Sequence, residues 1–158
     1  APALFEIEPH LVAFDGARNL GIDLVVAPAV LFGARQVVEA LRERGVASVI
    51  VSAGVDLMIG SIAKLLNVDD WASNGFQYDD DGYLLDEGVV SVPAHDKGTL
   101  IHKLARIRQL EPSELASVGD SSMDLSMHIS GSQFIGFNPT RPDAHQAFTD
   151  AGDIKSVR

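Results

Sequence analysis

An α/β fold with a mainly parallel sheet is predicted by three observations. Short apolar runs alternate with amphipathic patterns of period 3.6 along the chain. Each run ends in polar residues, as buried parallel strands do at their C-terminal ends. The 158 residues, 46% hydrophobic and 22% charged, suffice for one folded core and are too few for two full domains. The expectation is a single domain spanning residues 1–158.

The elements follow in order. Leu11-Val12-Ala13-Phe14 predicts a strand that ends at Asp15-Gly16, and Leu20 to Leu31 fits a strand, a strand pair or a connection. Ala34, Val37, Val38 and Leu41 fall at i, i+3, i+4, i+7 and predict a helix stopped by Gly45. Ser48 to Val51 reads as a strand ending at Ser52-Ala53-Gly54, and Val55, Met58, Ile59, Ile62 and Leu66 as the helix after it. Between Asn74 and Val92, the apolar residues Phe76, Tyr78, Tyr83 and Leu85 flank Asp79-Asp80-Asp81-Gly82, the composition of a hairpin turn. Leu100, Ile101, Leu104 and Ile107 give a further helix before Pro112. Leu115 to Val118, ending at Gly119-Asp120, and Gln133 to Phe137, ending at Asn138-Pro139, are the last predicted strands. Residues after Ala151 carry little pattern, and the sequence holds no internal repeat.

Composition excludes several functions. With 12 Lys+Arg against 22 Asp+Glu, the formal charge is −10, which disfavours a general nucleic-acid or anionic-membrane surface. Cysteine is absent, so disulfides, thiol nucleophiles and cysteine-ligated metals are ruled out. The least polar stretch, Leu24 to Ala34, is interrupted by Pro28 and falls well short of the roughly 20 residues of a membrane helix. No basic stretch precedes an apolar core at the N-terminus, so a secretory signal is not expected and cytoplasm is the default location.

An open parallel sheet places ligands beyond the carboxyl ends of its strands, where the polar clusters fall. In Ser117-Val118-Gly119-Asp120-Ser121-Ser122-Met123-Asp124, a strand tip presents Asp120, and Asp124 follows in the first turn of the next helix. Two carboxylates with an open approach suit Mg²⁺, which binds one or two carboxylates together with substrate phosphate. Ser52 and the backbone N–H groups after it would sit at a helix N-terminus, a ready anion site. Lys97 opens the helix Gly98 to Gln109, where a cation opposes the macrodipole unless an anion requires it. Each residue also has a plainer reading: a helix-start aspartate, a capping serine, a surface lysine.

Taken together, Ser52, Lys97 and the Asp120/Asp124 pair resemble the later motifs of the haloacid dehalogenase-like hydrolases. The likeness is closest to the phosphoserine phosphatase branch, with Asp81-Gly82-Tyr83-Leu84 and Phe137-Asn138 as supporting pieces. The resemblance implies a three-layer Rossmann-like core with a small β-hairpin excursion. It further implies a Mg²⁺-dependent phosphatase acting on a small phosphorylated metabolite through an aspartyl-phosphate. By the same resemblance Asp15 is the nucleophile and Ser52, Ala53 and Gly54 bind phosphate. Lys97 steadies phosphate and nucleophile. Asp15 and Asp120 ligate Mg²⁺, with Asp124 supporting the metal or Lys97.

The first motif departs from the family. Asp15 follows its strand correctly, but Ala17 stands where a proton-transferring second aspartate belongs. Only 37 positions separate Asp15 from Ser52, too few for the helical cap of that branch. Asp23 is a poorer nucleophile candidate, with Val25 two residues on. Three explanations stand: a capless relative with a degenerate motif, a non-catalytic phospho-ligand or protein-binding domain, or a segment absent after Asp15 that carries the second aspartate and the cap. The last is the expectation. A capless core would use a neighbouring subunit of a homo-oligomer to close its site. His95, His102 and His128 lack metal-ligand spacing, and the Asp79-Asp80-Asp81 run lacks the glutamate of a calcium loop.

Overall fold

The structure is a computed structural model that describes residues 33–139, 141–152 and 155–157. The expected first strand, Leu11 to Phe14, lies outside the described residues, as do Asp15, Ala17, Asp23 and the Leu20 to Leu31 stretch. The chain divides into two compact units, Ala1–Val92 and Pro93–Arg158.

In the first unit the apolar spacing forms α1 (Ala34–Glu43), which buries Val38 and ends ahead of Gly45 at φ 72°. Strand β1 (Val49–Val55) leads directly into α2 (Asp56–Leu66), whose Ile59, Ala63 and Leu66 are buried. That stripe packs against β1 and β2 (Asp70–Tyr78). Arg42 of α1 donates to the Asn67 carbonyl that closes α2, so the two helices share a polar link at their ends. β2 has two partners. Its first half runs parallel to β1, with Val49 opposite Asp70, and its second half runs antiparallel to β3 (Leu84–Val89), with Tyr78 opposite Leu84. The expected hairpin is therefore present. Its turn is built as a solvated one: Asp79 Oδ1 accepts the amides of Asp81 (3.1 Å) and Tyr83 (2.8 Å), and Gly82 adopts φ 81°.

The second unit begins before α3 (Gly98–Arg108), which buries Ile101, Leu104 and Ala105. Strands β4 (Ala116–Gly119), β5 (Gln133–Phe137) and β6 (Lys155–Val157) form a parallel sheet in that order. On β5, Phe134 and Gly136 face the core, and the Phe134 ring meets Phe148 at 5.6 Å. Phe148 lies on α4 (Pro142–Asp150), a helix with no counterpart among the expected elements; proline opens it and only Ala144 and Phe148 are buried. Between β4 and β5 the expected α-helix is replaced by a six-residue 3₁₀ turn, Ser122–Met127. The α/β class with parallel strands and a hairpin excursion is the observed one. Among the described residues its strands fall into two three-stranded sheets, β1-β2-β3 and β4-β5-β6.

Candidate active site

Lys97, Asp120 and Asp124 come together in the second unit. β4 ends at Gly119 and leaves Asp120 exposed at its tip. The chain then folds back on Asp124, which is only 6% exposed. Asp124 Oδ2 accepts the Asp120 amide (3.2 Å), the Ser121 amide (3.1 Å) and the Ser121 hydroxyl (2.8 Å). Its other oxygen, Oδ1, accepts Lys97 Nζ at 2.5 Å. Three donors converging on one carboxylate oxygen draw the chain into a tight turn, and the Ser126 hydroxyl, donating to the Met123 carbonyl three residues back, holds the 3₁₀ pitch. This accounts for the correction to the expected α-helix.

Lys97 is placed just as firmly. It occupies the N-cap of α3, and its amide donates to Ser126 Oγ at 3.2 Å. A Cβ on Gly98 would fall on the Ser126 carbonyl oxygen, so only glycine lets α3 start this close to the 3₁₀ turn. The cation at a helix N-terminus is offset on both sides. Asp124 pairs with its ammonium, and Asp96 caps the helix by accepting the Thr99 amide (3.3 Å) and hydroxyl (2.9 Å). Burial pushes the Asp124 carboxyl up, but Lys97 and Ser121 outweigh it and hold the group below the usual carboxylate range. Asp124 is therefore charged throughout the neutral range.

The same turn is tied to α4. Ser122 donates to Asp143 Oδ2 at 3.0 Å, and Arg141 forks onto Asp143 at 3.0 and 3.2 Å. The Ser122 hydroxyl, followed by Arg141, keeps Asp143 below the ordinary carboxylate value. Residues Ser121, Asp96 and Asp143 were not among the expected site residues.

Ser52, Ala53 and Gly54 belong to the first unit and lie within β1, so their expected position at a helix N-terminus needs correction. The helix starts at Asp56 with Val55 as N-cap, and no side chain caps it. Ser52 is accordingly not a capping serine. The reason is an irregularity in the ladder. Val51 pairs with Ala72 and Val55 with Asn74, so the segment between carries extra residues and leaves regular pairing. Inside it the Gly54 amide donates to Ser52 Oγ at 3.1 Å. Asn74 spans the irregularity: its Nδ2 donates to the Ala53 carbonyl at 2.9 Å, while its Oδ1 accepts the amides of Ser91 (3.0 Å) and Val92 (2.8 Å).

Asp56, at the start of α2, has its carboxyl pushed up by burial, against bonds from the Leu57 and Phe76 backbone. A folded value above the unfolded one means that folding disfavours the charged form. Its contribution to stability is fully present below the unfolded value and is lost as pH rises through the folded one. Asp56→Asn is expected to raise the melting temperature at pH 7 and to lose that advantage near pH 3. A lower melting temperature than wild type at pH 7 would contradict it.

As donors to a metal, the two carboxylates of the turn differ. Asp120 is exposed and its carboxylate takes no hydrogen bond from a described residue, whereas Asp124 already accepts four. Hard carboxylate oxygens at an open strand tip fit Mg²⁺. Among the described residues no three His, Cys, Asp or Glu side chains gather into a metal cluster.

Parallel strands whose carboxyl ends carry the polar groups, with an ammonium locked to a buried carboxylate beside one of those ends, are those of a Rossmann-like α/β fold. The family model for haloacid dehalogenase-like hydrolase matches residues 8–128, and the chain belongs to that family. It is 30% identical over 96 residues to the phosphoserine phosphatase of Methanocaldococcus jannaschii, a match covering 60% of this chain and 45% of that relative. A solved phospho-aspartyl intermediate analogue of phosphoserine phosphatase has a TM-score of 0.64 at 25% identity, covering 80% of this chain and 58% of the other. The substrate-bound phosphoserine phosphatase complex gives 0.65 at the same identity and coverage. A haloacid dehalogenase family hydrolase from Salmonella enterica serovar Typhi, 18% identical with a TM-score of 0.64, shares the fold. The chain spans about half the length of these relatives. Among the described residues no helix is long and apolar enough to cross a membrane.

Proposed function

We propose that this chain carries the core of a Mg²⁺-dependent phosphatase that hydrolyses a small, phosphoserine-like phosphomonoester through an aspartyl-phosphate on Asp15. The observation that carries the reading is the Lys97 ammonium fixed at 2.5 Å by the buried carboxylate of Asp124, next to the open Asp120. A lysine so restrained cannot follow solvent as a surface lysine does, and a transferring phosphoryl group requires such a fixed cation. The likeness to phosphoserine phosphatases supports the substrate class.

In this reading the Ser52 hydroxyl and the Ala53 and Gly54 backbone bind phosphate oxygens. Lys97 neutralises charge on the phosphate and on Asp15. Asp15 attacks phosphorus and the bond to the alcohol oxygen breaks, with a solvent water giving the leaving oxygen the proton that Ala17 cannot; a second water then cleaves the aspartyl-phosphate anhydride, freeing phosphate and regenerating Asp15. Asp15 and Asp120 would hold Mg²⁺, with Asp124 in support through Lys97, and when bound the metal supplies further positive charge at the phosphoryl oxygens. A second reading, a catalytically silent phospho-ligand domain, is favoured by Ala17, which cannot protonate the leaving alcohol.

The test is phosphate release from O-phosphoserine and p-nitrophenyl phosphate with Mg²⁺. Release is expected to stop on chelation and in Asp15→Asn and Asp120→Asn. Activity that survives both substitutions refutes the phosphatase reading. A beryllofluoride adduct on Asp15 without turnover favours the silent one.

A further inference from the structure

We infer that Asn74 is a positioning residue for phosphate, holding the Ser52–Gly54 segment in its binding conformation. The inference rests on the reading of that segment as the phosphate site.

The segment between Val51 and Val55 has left regular pairing with β2, so the ladder alone does not fix its backbone. Its internal bond, Gly54 N–H to Ser52 Oγ, sets a local turn but does not anchor that turn to the sheet. Asn74 does so with one side chain. Its amide nitrogen holds the Ala53 carbonyl at the centre of the segment. Its amide oxygen takes two consecutive backbone N–H groups, Ser91 and Val92, where the chain leaves β3. Val92 is fully buried, so that end of the clamp is fixed. Gly54 is confined as well: a Cβ there would lie 3.2 Å from Ser52 Oγ and 3.4 Å from Ile59 Cδ1. The Ala53 carbonyl orientation sets the plane of the Ala53–Gly54 peptide and hence the direction of the Gly54 N–H. That N–H is given to Ser52 Oγ, so it aims the hydroxyl whose own proton a phosphate oxygen would meet.

An asparagine is needed because the two ends of the clamp have opposite polarity: a donor toward Ala53, an acceptor toward Ser91 and Val92. Asn74→Asp keeps the acceptor and abolishes the donor, separating a hairpin-exit role from a positioning role. Asn74→Ala removes both.

The experiment measures binding of inorganic phosphate to the full chain by titration calorimetry, for wild type, Asn74→Asp and Ser52→Ala. Asn74→Asp is expected to fold and to bind about tenfold more weakly. The ratio to wild type should persist in 1 M salt, where a Debye length of about 3 Å removes long-range repulsion from the added charge. Wild-type affinity in Asn74→Asp, with Ser52→Ala weakened, overturns the role of Asn74 alone. Unchanged affinity in Ser52→Ala overturns the phosphate reading of the segment and this inference with it. Should Asn74→Asp fail to fold, amide exchange of the wild type decides. Saturating phosphate is expected to slow exchange at Ser91 and Val92 through the clamp, and unchanged rates there overturn the proposal.

Discussion

Asp124→Ala is expected to lower the unfolding free energy by about 3–5 kcal/mol, the usual cost of removing one partner of a buried ion pair. The Lys97 and Asp124 side chains are 12% and 9% exposed, so an ammonium left without its carboxylate has little water to turn to. The loss extends beyond the pair. The amides of Asp120 and Ser121 and the Ser121 hydroxyl all point at Asp124 Oδ2, and alanine leaves these three donors without their acceptor. Asp124→Asn separates the contributions, because its amide oxygen can still serve the turn while its NH₂ faces the Lys97 ammonium. It should cost less than alanine. Lys97→Met should then be better tolerated on top of Asp124→Asn than in wild type, with a coupling of about 1–3 kcal/mol in urea unfolding. Additivity within about 0.5 kcal/mol would mean that the pair is not the stabilising unit. In the phosphatase reading, activity in Asp124→Ala falls by at least about a hundredfold, since no group then aims Lys97.

Elements with strong periodicity are readable from the sequence alone. The helical stripes of α1, α2 and α3 and the apolar runs of β4 and β5 are each patterns of neighbouring residues, and β5 covers the expected residues, Gln133 to Phe137. The first half of β2, Asp70-Trp71-Ala72-Ser73, has no apolar run, because its strand character comes from pairing with β1 more than twenty residues earlier. α4 buries only Ala144 and Phe148, a single i, i+4 pair that resembles a loop until Phe134 is there to receive it. The candidate site divides the same way. Asp120, Asp124, Ser52 and Lys97 are legible because strand tips and helix starts are local features. Asn74 is not, since its role depends on a strand irregularity and a hairpin register that bring Ala53, Ser91 and Val92 to one side chain. The α-helix expected after Ser121 failed for a related reason. Ser121 and Asp124 form a capping box in the structure, but the short pitch is imposed by Ser126 and by Lys97 from another element.

Gly119→Ala is expected to be as damaging as removing Asp124, though it deletes nothing. A Cβ on Gly119 would overlap Asp124 Cβ and come within 2.7 Å of its Cγ and 2.8 Å of its Oδ2. Overlaps of this kind are inexpensive only when the neighbour can swing aside, and Asp124 cannot: four hydrogen bonds and the 3₁₀ turn hold it. Either the strand tip retreats, moving Asp120, or Asp124 leaves Lys97. Both outcomes break the site, at a stability cost of about 3 kcal/mol, the upper range for overpacking. Gly136→Ala supplies the control. Its Cβ would meet the Phe148 ring at 2.6 and 2.8 Å, a clash of similar severity against α4, away from the Lys97–Asp124 pair. Urea unfolding should show comparable losses for the two variants. Calorimetric Mg²⁺ titration at a temperature where both remain folded should show weakened binding for Gly119→Ala alone. Equal weakening in both would assign the effect to general loosening of the second unit, and the glycine before Asp120 would then matter for packing alone.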